Sequence, residues 1–323
     1  MQLHGIHHVT AVTGRIQNNL NFYTRVLGLR LVKKSVNQDD TSAYHLFYAD
    51  KLGSPGTDMT FFDWPHTGED VRGTDSIVNT LFRVNGEAAL RYWLARFDEQ
   101  GVKHGDIHTF AGHSQLRFED PEGQRLTLVD DGGVPYEGQI WDGADIPPEN
   151  AIRGFYGVML SVPALGQVGL ILTQHLGFTE VDRQPNPDNP AQEIIIFTMD
   201  GGGPGKEVRV LVETGQRRAM LGAGGVHHVA FRLKDEDEQM DWNTRLTRSG
   251  LRTSGQIDRY YFKSIYFRIS GGILFELATD GPGFAADESL ETLGERLALP
   301  PFLEGQRARI EANLKPLDTV RSH

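Results

Sequence analysis

The stretch Gly5-Ile6-His7-His8-Val9 returns late in the chain as Gly225-Val226-His227-His228-Val229. A motif repeated at that distance raises the question of a period running through the whole chain, because a fixed period settles architecture before any single element does. The glycines give the answer. After His8, a helix-closing glycine comes at Gly28 and a glycine opening the last strand at Gly56, and the same marks recur at Asn79, Gly101 and Gly123. A shift of 149 residues carries these six positions onto Gly157, Gly177, Gly205, His228, Gly250 and Gly272. The 323-residue chain is therefore a doubled unit, and each half holds two similar modules.

Each module reads as strand, helix, closing glycine and two or three strands. In the first, Leu20, Tyr23, Val26 and Leu27 fall at helical spacing and Leu27-Gly28-Leu29 ends the helix with a residue suited to the left-handed conformation. Leu176-Gly177-Phe178, Gln100-Gly101-Val102 and Ser249-Gly250-Leu251 repeat that stop. The fold class expected is α+β: four βαβββ modules, at about 4–66, 75–131, 152–215 and 224–280, forming two cup-shaped open β-barrels. The expected domains are a first half at 1–140, a second half at 150–280, and a C-terminal extension at 281–323. The Gly, Pro and Asp-rich run at 131–150 separates the halves. In the extension, 287–299 and 304–314 read as short helices around Pro300-Pro301 that pack against the body, with a lid over the site as the functional alternative.

Composition narrows the function classes. A net charge of −11 argues against a phosphate-backbone partner, which needs a concentrated basic surface. Without cysteine, there are no disulfides, thiolate zinc sites or thiol nucleophiles. No apolar run suits a membrane span, and Met1-Gln2-Leu3-His4 leads straight into the first strand; a soluble cytoplasmic protein without membrane or nucleic-acid partners is expected. Homo-oligomerisation is left open.

A divalent metal is what the histidine pairs suggest. Successive strand side chains point to opposite faces, so each pair supplies one ligand to one ion. His227 shares its phase with Val229, Phe231 and Leu233, an apolar set, whereas His228 is in phase with Ala230 and His8 with Thr10. His8 and His228 are the ligands this reading selects. Glu276 in Ile273-Leu274-Phe275-Glu276-Leu277 points away from Phe275 and Leu277, and a buried carboxylate is costly unless paired or metal-bound. A hairpin centred on Gly271 puts Tyr266 directly across from it. In the other modules Thr60, Thr127 and Arg209 match Glu276, while Asn79 and Gly157 match the histidines, so only the first and fourth modules keep ligands. Two histidines and one carboxylate leave coordination positions open, which suits Fe(II) oxygen chemistry ahead of Mn(II) or Zn(II). His104, His108 and His113 lie in a Gly-rich stretch with no carboxylate in phase and read as solvated loop histidines. Arg259, before Tyr260-Tyr261, reads as a loop residue near the Tyr266 strand. Leu52 to Gly56 and Gly201 to Gly205 read as turns, since neither ends as a phosphate loop does.

The four modules with His8, His228 and Glu276 resemble the vicinal oxygen chelate superfamily, and within it the dioxygenases that cleave hydroquinones and chlorohydroquinones. Phe275-Glu276-Leu277-Ala278-Thr279-Asp280-Gly281-Pro282-Gly283-Phe284 and Leu299-Pro300-Pro301-Phe302 carry the same likeness. The resemblance implies Fe(II) on His8, His228 and Glu276, and supporting roles beside the ion for His7, Thr10, His227, Arg259 and Tyr266. It implies a small aromatic diol and O2 as the reactants, with His227 or His7 moving the substrate proton. Extradiol cleavage of a catechol, a glyoxalase-like isomerase or lyase, and a non-catalytic small-molecule binder are the rival readings. Thr60 stands where the glyoxalase-like chemistry would want a fourth ligand. His227 creates a tension, since strand alternation turns it toward the core and the resemblance keeps it near the substrate.

Overall fold

The computed structural model describes residues 1–319. Four modules of one helix and four strands follow one another. The first comprises β1 (Ile6–Thr13), α1 (Ile16–Asn21, prolonged by a π turn over Phe22–Val26), β2 (Arg30–Val36), β3 (Tyr44–Ala49) and β4 (Asp58–Asp63). The second has β5 (Ser76–Val84), α2 (Gly86–Gln100), β6 (His104–Phe110), β7 (His113–Glu119) and β8 (Arg125–Asp130). The third has β9 (Phe155–Val162), α3 (Gly166–Leu170, prolonged by a π turn over Ile171–His175), β10 (Thr179–Asn186), β11 (Asn189–Thr198) and β12 (Glu207–Val212). The fourth has β13 (Val226–Leu233), α4 (Glu236–Arg248), β14 (Ile257–Asp258), β15 (Lys263–Arg268) and β16 (Leu274–Thr279). Helix ends follow local chemistry: the Asp235 carboxylate accepts the Glu238 N–H at 3.0 Å to start α4, and Gly101 closes α2 at φ 64°.

Within each module the first strand lies parallel to the last, and the outer strands pair antiparallel. Strand β1 then pairs antiparallel with β13, joining the first module to the fourth, and β5 pairs with β9, joining the second to the third. Two open eight-stranded sheets result, in the orders β2-β3-β4-β1-β13-β16-β15-β14 and β10-β11-β12-β9-β5-β8-β7-β6. They are curved sheets with free edges rather than closed barrels, and a single residue pair, Val226 with Ile77, links them. Alternation directs Val9, Phe61, Val229, Phe231, Phe275 and Leu277 into one apolar core beneath the helices, where each is fully buried. The opposite phase faces the concave side of each sheet. No helix is long and apolar enough to cross a membrane among the described residues.

Two sequence expectations fail here. No helix spans 287–299; the run lies along the edge strand β2, where Leu297 bridges Lys34 and the Ala298 N–H donates to the Lys34 carbonyl at 2.9 Å. The start of the run is tied to the buried Lys33, whose ammonium needs partners in the low-dielectric interior. It bonds the Phe284 carbonyl at 3.0 Å, Asp287 at 2.7 Å and Glu288. The later stretch does form helices, α5 (Pro301–Glu304) and α6 (Arg307–Asn313). His104, His108 and His113 are strand residues rather than loop residues, because Ala111 and Gly112 both take positive φ, 49° and 81°, and fold the Gly-rich run into a tight hairpin. His113 is held by the Tyr156 hydroxyl at 3.0 Å.

Candidate metal centre

Three side chains converge on the concave side of the sheet made by modules one and four. Their ligand atoms lie within 4.8 Å of one another: His8 on β1, His228 on β13 and Glu276 on β16. The sheet register explains the meeting. His8 lies opposite Ala230 on β13, and Ala230 lies beside Glu276 on β16, so a small residue leaves the space between ligand and carboxylate. His228 pairs with Thr10, and Thr10 in turn with Thr60 on β4. All three donors are buried, Glu276 completely.

The three donors make a tight cluster. Glu276 Oε2 is 2.9 Å from His228 Nε2 and 3.2 Å from His8 Nε2, and those two nitrogens are 3.3 Å apart. Yet Oε2 makes no hydrogen bond of acceptable angle. The three atoms lie close enough together to share one cation, and a buried carboxylate beside two imidazoles suits that role. The second carboxylate oxygen, Oε1, accepts from the buried Ser264 hydroxyl at 2.5 Å. Burial pushes the Glu276 carboxyl up, but His8 and His228 outweigh it and hold it well below the usual range. Burial lowers the His228 imidazole in spite of Glu276, leaving a neutral nitrogen donor. The donor set therefore fits a divalent ion with open positions.

Each ligand histidine is braced by its neighbour. His8 Nδ1 lies 2.9 Å from His7 Nδ1, and His228 Nδ1 lies 2.7 Å from His227 Nδ1. In a regular strand those rings would be on opposite faces. Both pairs sit at bulges: β1 advances from Ile6 to His8 while β13 advances by one residue, and β13 advances from Val226 to His228 while β1 advances by one. The extra residues are His7 and His227, so each swings beside its partner. This corrects the expectation that His227 shares the core phase of Val229. Half-buried, it stands edge-on to Phe62 and Trp64 at 5.5 and 5.8 Å. Burial first, and the adjacent ligand histidine second, lower both His7 and His227 to about 3. A ligand using Nε2 keeps its proton on Nδ1, and a neutral neighbour is the acceptor for it.

An open cleft of about 490 Å³ leads to this point. Thr10, Arg259 and Tyr266 line it together with His8 and His228, whereas His7 and His227 stand behind the ligands. Tyr266 lies opposite Glu276 in the β15–β16 register, and its ring is 5.8 Å from His228. Burial and then the Glu276 charge raise its phenol well above the usual range, so it stays protonated. Arg259, in the loop between β14 and β15, has its guanidinium 5.4 Å over the Tyr266 ring and pairs with Asp39 at 2.8 Å. Sequence reasoning missed three lining or bracing residues: Ser264, Phe262 and His45. His45 bonds Thr60 Oγ1 at 3.0 Å, Thr60 bonds Thr10 at 2.8 Å, and burial followed by the charges of His8 and His228 lowers His45 well below its ordinary value. A signal was present, since Tyr44, Leu46 and Tyr48 fill one phase of β3 and leave His45 and Phe47 on the other. Phe284 from the C-terminal extension packs on Phe47 and Tyr261 at the cleft wall.

The model of the Glyoxalase/Bleomycin resistance protein/Dioxygenase superfamily matches residues 5–128 and 171–280. The chain belongs to this superfamily. Among curated members, it is 48% identical to "Putative ring-cleaving dioxygenase MhqA" of Bacillus subtilis (strain 168), over 98% of this chain and 100% of that protein. It is 30% identical to the chlorohydroquinone/hydroquinone 1,2-dioxygenase of Sphingobium indicum, over 94% of each. A crystal structure of a "putative dioxygenase" from Bacillus subtilis superposes with a TM-score of 0.88 at 35% identity, covering 98% of both chains. Glyoxalase I of Zea mays shares the superfamily fold at a TM-score of 0.62 and 14% identity, over 85% of this chain and 92% of that one.

Proposed function

We propose that this superfamily member is an Fe(II)-dependent dioxygenase that opens the ring of a hydroquinone, plain or substituted, with O2. The observation carrying this reading is the open side of the centre: three protein donors face one point, while the fourth quadrant holds Thr10 and Thr60, whose hydroxyls bond each other. The names of the relatives support the reaction class. Held by His8, His228 and Glu276, the ion supplies Lewis acidity and electron transfer between an aromatic diol and dioxygen.

The chain's own groups do the rest. Tyr266, kept protonated, donates a hydrogen bond to an oxygen gaining charge in the cleft, and the Arg259 guanidinium adds a fixed positive charge beside it. His45 is a neutral imidazole lining the same cleft, where its Nε2 bonds Thr60. His7 and His227 fix the Nδ1 atoms of the ligands. Phe47, Phe62 and Phe262 give the cleft apolar walls for a flat ring.

The test is anaerobic purification with Fe(II), metal analysis, and oxygen uptake with hydroquinone and catechol in parallel. We expect one iron per chain, uptake with hydroquinone, and folded His8→Ala, His228→Ala and Glu276→Ala variants that each lose stoichiometric iron. Faster uptake with catechol would transfer the chain to extradiol cleavage. Stoichiometric iron with no uptake on either diol would overturn the proposal.

A further inference from the structure

The other sheet, made by modules two and three, encloses a larger open cleft, of about 1600 Å³. The 149-residue shift places Gly157, Asn79 and Thr127 there in correspondence with His8, His228 and Glu276. Asn79 and Thr127 satisfy each other at 2.9 Å, so the ligand set of the first cleft is not repeated at these positions. The position corresponding to Thr60 is Arg209 on β12, and Arg209 is only 2% exposed. Val208 and Val210 on either side point into the core, which turns Arg209 toward the cleft it lines. Its Nε donates to Glu207 at 2.5 Å, its Nη1 to Gln115 at 3.0 Å, and its guanidinium carbon lies 5.0 Å over the Phe110 ring. Nη2 is buried with no hydrogen-bond partner.

We propose that this second cleft is a binding site for a small organic carboxylate with an apolar body, anchored on Arg209. A buried charged donor without an acceptor is a rare and unfavourable arrangement, and a ligand oxygen would complete it. A second guanidinium, Arg125, shares the concave face of β8 with Thr127 and makes no hydrogen bond or ion pair among the described residues. Five cationic side chains line the cleft against three acidic ones, with the Glu207 carboxylate on Arg209 as a fourth, which leaves a small positive excess in a chain whose net charge is −11. That local excess draws anions and repels cations. Phe110, Met159, Ile194 and Leu211 supply an apolar wall, which would leave a free phosphate under-solvated and suits a hydrocarbon body. The inference rests on Arg209 and its surroundings and is independent of the reaction proposed for the metal cleft.

The test titrates the full-length, metal-loaded protein with 4-bromobenzoate by calorimetry and locates the bromine by anomalous scattering in a soaked crystal. Its neutral counterpart, 4-bromobenzyl alcohol, is titrated in parallel. We expect bromobenzoate binding that survives His8→Ala, a bromine peak in the second cleft with the carboxylate on Arg209, and at least tenfold weaker binding of the alcohol. Arg209→Met combined with Glu207→Gln removes both charges of the ion pair, so that no lone charge is left buried, and should weaken bromobenzoate at least tenfold. Arg125→Gln is the second variant, chosen because the residue is only half-buried, and should weaken it by a smaller factor. Absence of bromobenzoate binding, bromine only in the metal cleft, or equal affinity for acid and alcohol would each overturn the proposal. Should the double variant not fold, the bromine position and Arg125→Gln decide alone.

Discussion

Ser264→Ala is the sharpest test of how the metal centre is built. The Ser264 hydroxyl donates to Glu276 Oε1 at 2.5 Å, and both side chains are sealed from solvent. Removing the hydroxyl leaves every ligand in place and takes away the one hydrogen bond that sets the carboxylate's rotation. A hydrogen bond to a charged group contributes about 1.5–3 kcal/mol, and loss of such a supporting partner weakens metal affinity by about 10 to 100-fold. The two figures agree, since tenfold corresponds to about 1.4 kcal/mol. Anaerobic competition against a chelator of known affinity measures the change. The loss should appear in metal affinity with the metal-saturated protein still folded, and Ser264→Thr, which keeps a hydroxyl, should recover most of it. A Ser264→Ala protein that holds iron within twofold of wild type would show that the carboxylate is positioned by the sheet alone.

Tyr266→Phe should keep iron near wild type and lower kcat/KM for hydroquinone by about 10 to 1000-fold, the range for one lost oxyanion donor; equal oxygen uptake per iron would make the tyrosine a packing residue. Asp39→Asn releases Arg259 from a pair whose carboxylate is 73% exposed, so stability should move by no more than about 0.5 kcal/mol while KM rises and its salt dependence flattens. Unchanged KM at low and high salt would refute a positioning role for Asp39. Asp120 is buried against Tyr23, and burial raises its carboxyl to about 6. With the folded value above the unfolded one, the folded state holds the extra proton between about 4 and 6, so stability is present below that window and is lost as pH rises through it. Asp120→Asn should flatten the melting profile across that window and gain about 1–3 kcal/mol above pH 7; an unchanged profile would show the carboxyl is not strained.

The parts of the fold that repeat were legible in the sequence, because glycines at helix ends and the two-residue phase of strands are local signals. Four modules follow from them, and so does the pairing of Tyr266 with Glu276 across the β15–β16 hairpin. The bulges were not legible. One inserted residue in a strand pair has no mark in the chain itself, and yet it decides that His7 and His227 stand beside the ligands. His45 reaches the cleft only once β3 is stacked on β4 and β4 on β1, two pairings remote in sequence. The start of the 287–299 run is tied to the buried ammonium of Lys33, a tertiary contact that the segment's own spacing does not reveal. Arg209 looked like one more lost ligand, and only its burial and unpaired nitrogen give it a meaning of its own.

The pairing of β1 with β13 also has a consequence in time. His8 and His228 are 220 residues apart, and ribosomes extend a chain at about 5–20 residues per second, so about 11 to 44 s separate the synthesis of one imidazole from the other. Through that interval the newborn first module presents one side of β1 as a bare edge, with the hydrogen-bonding groups that will face β13 unclaimed. A second nascent chain on the same message offers an identical edge, while the proper partner does not yet exist. The three-donor site exists only after the polymer has closed on itself, which would make metal loading a late event of biosynthesis and a record that the first and last modules of one chain have found each other.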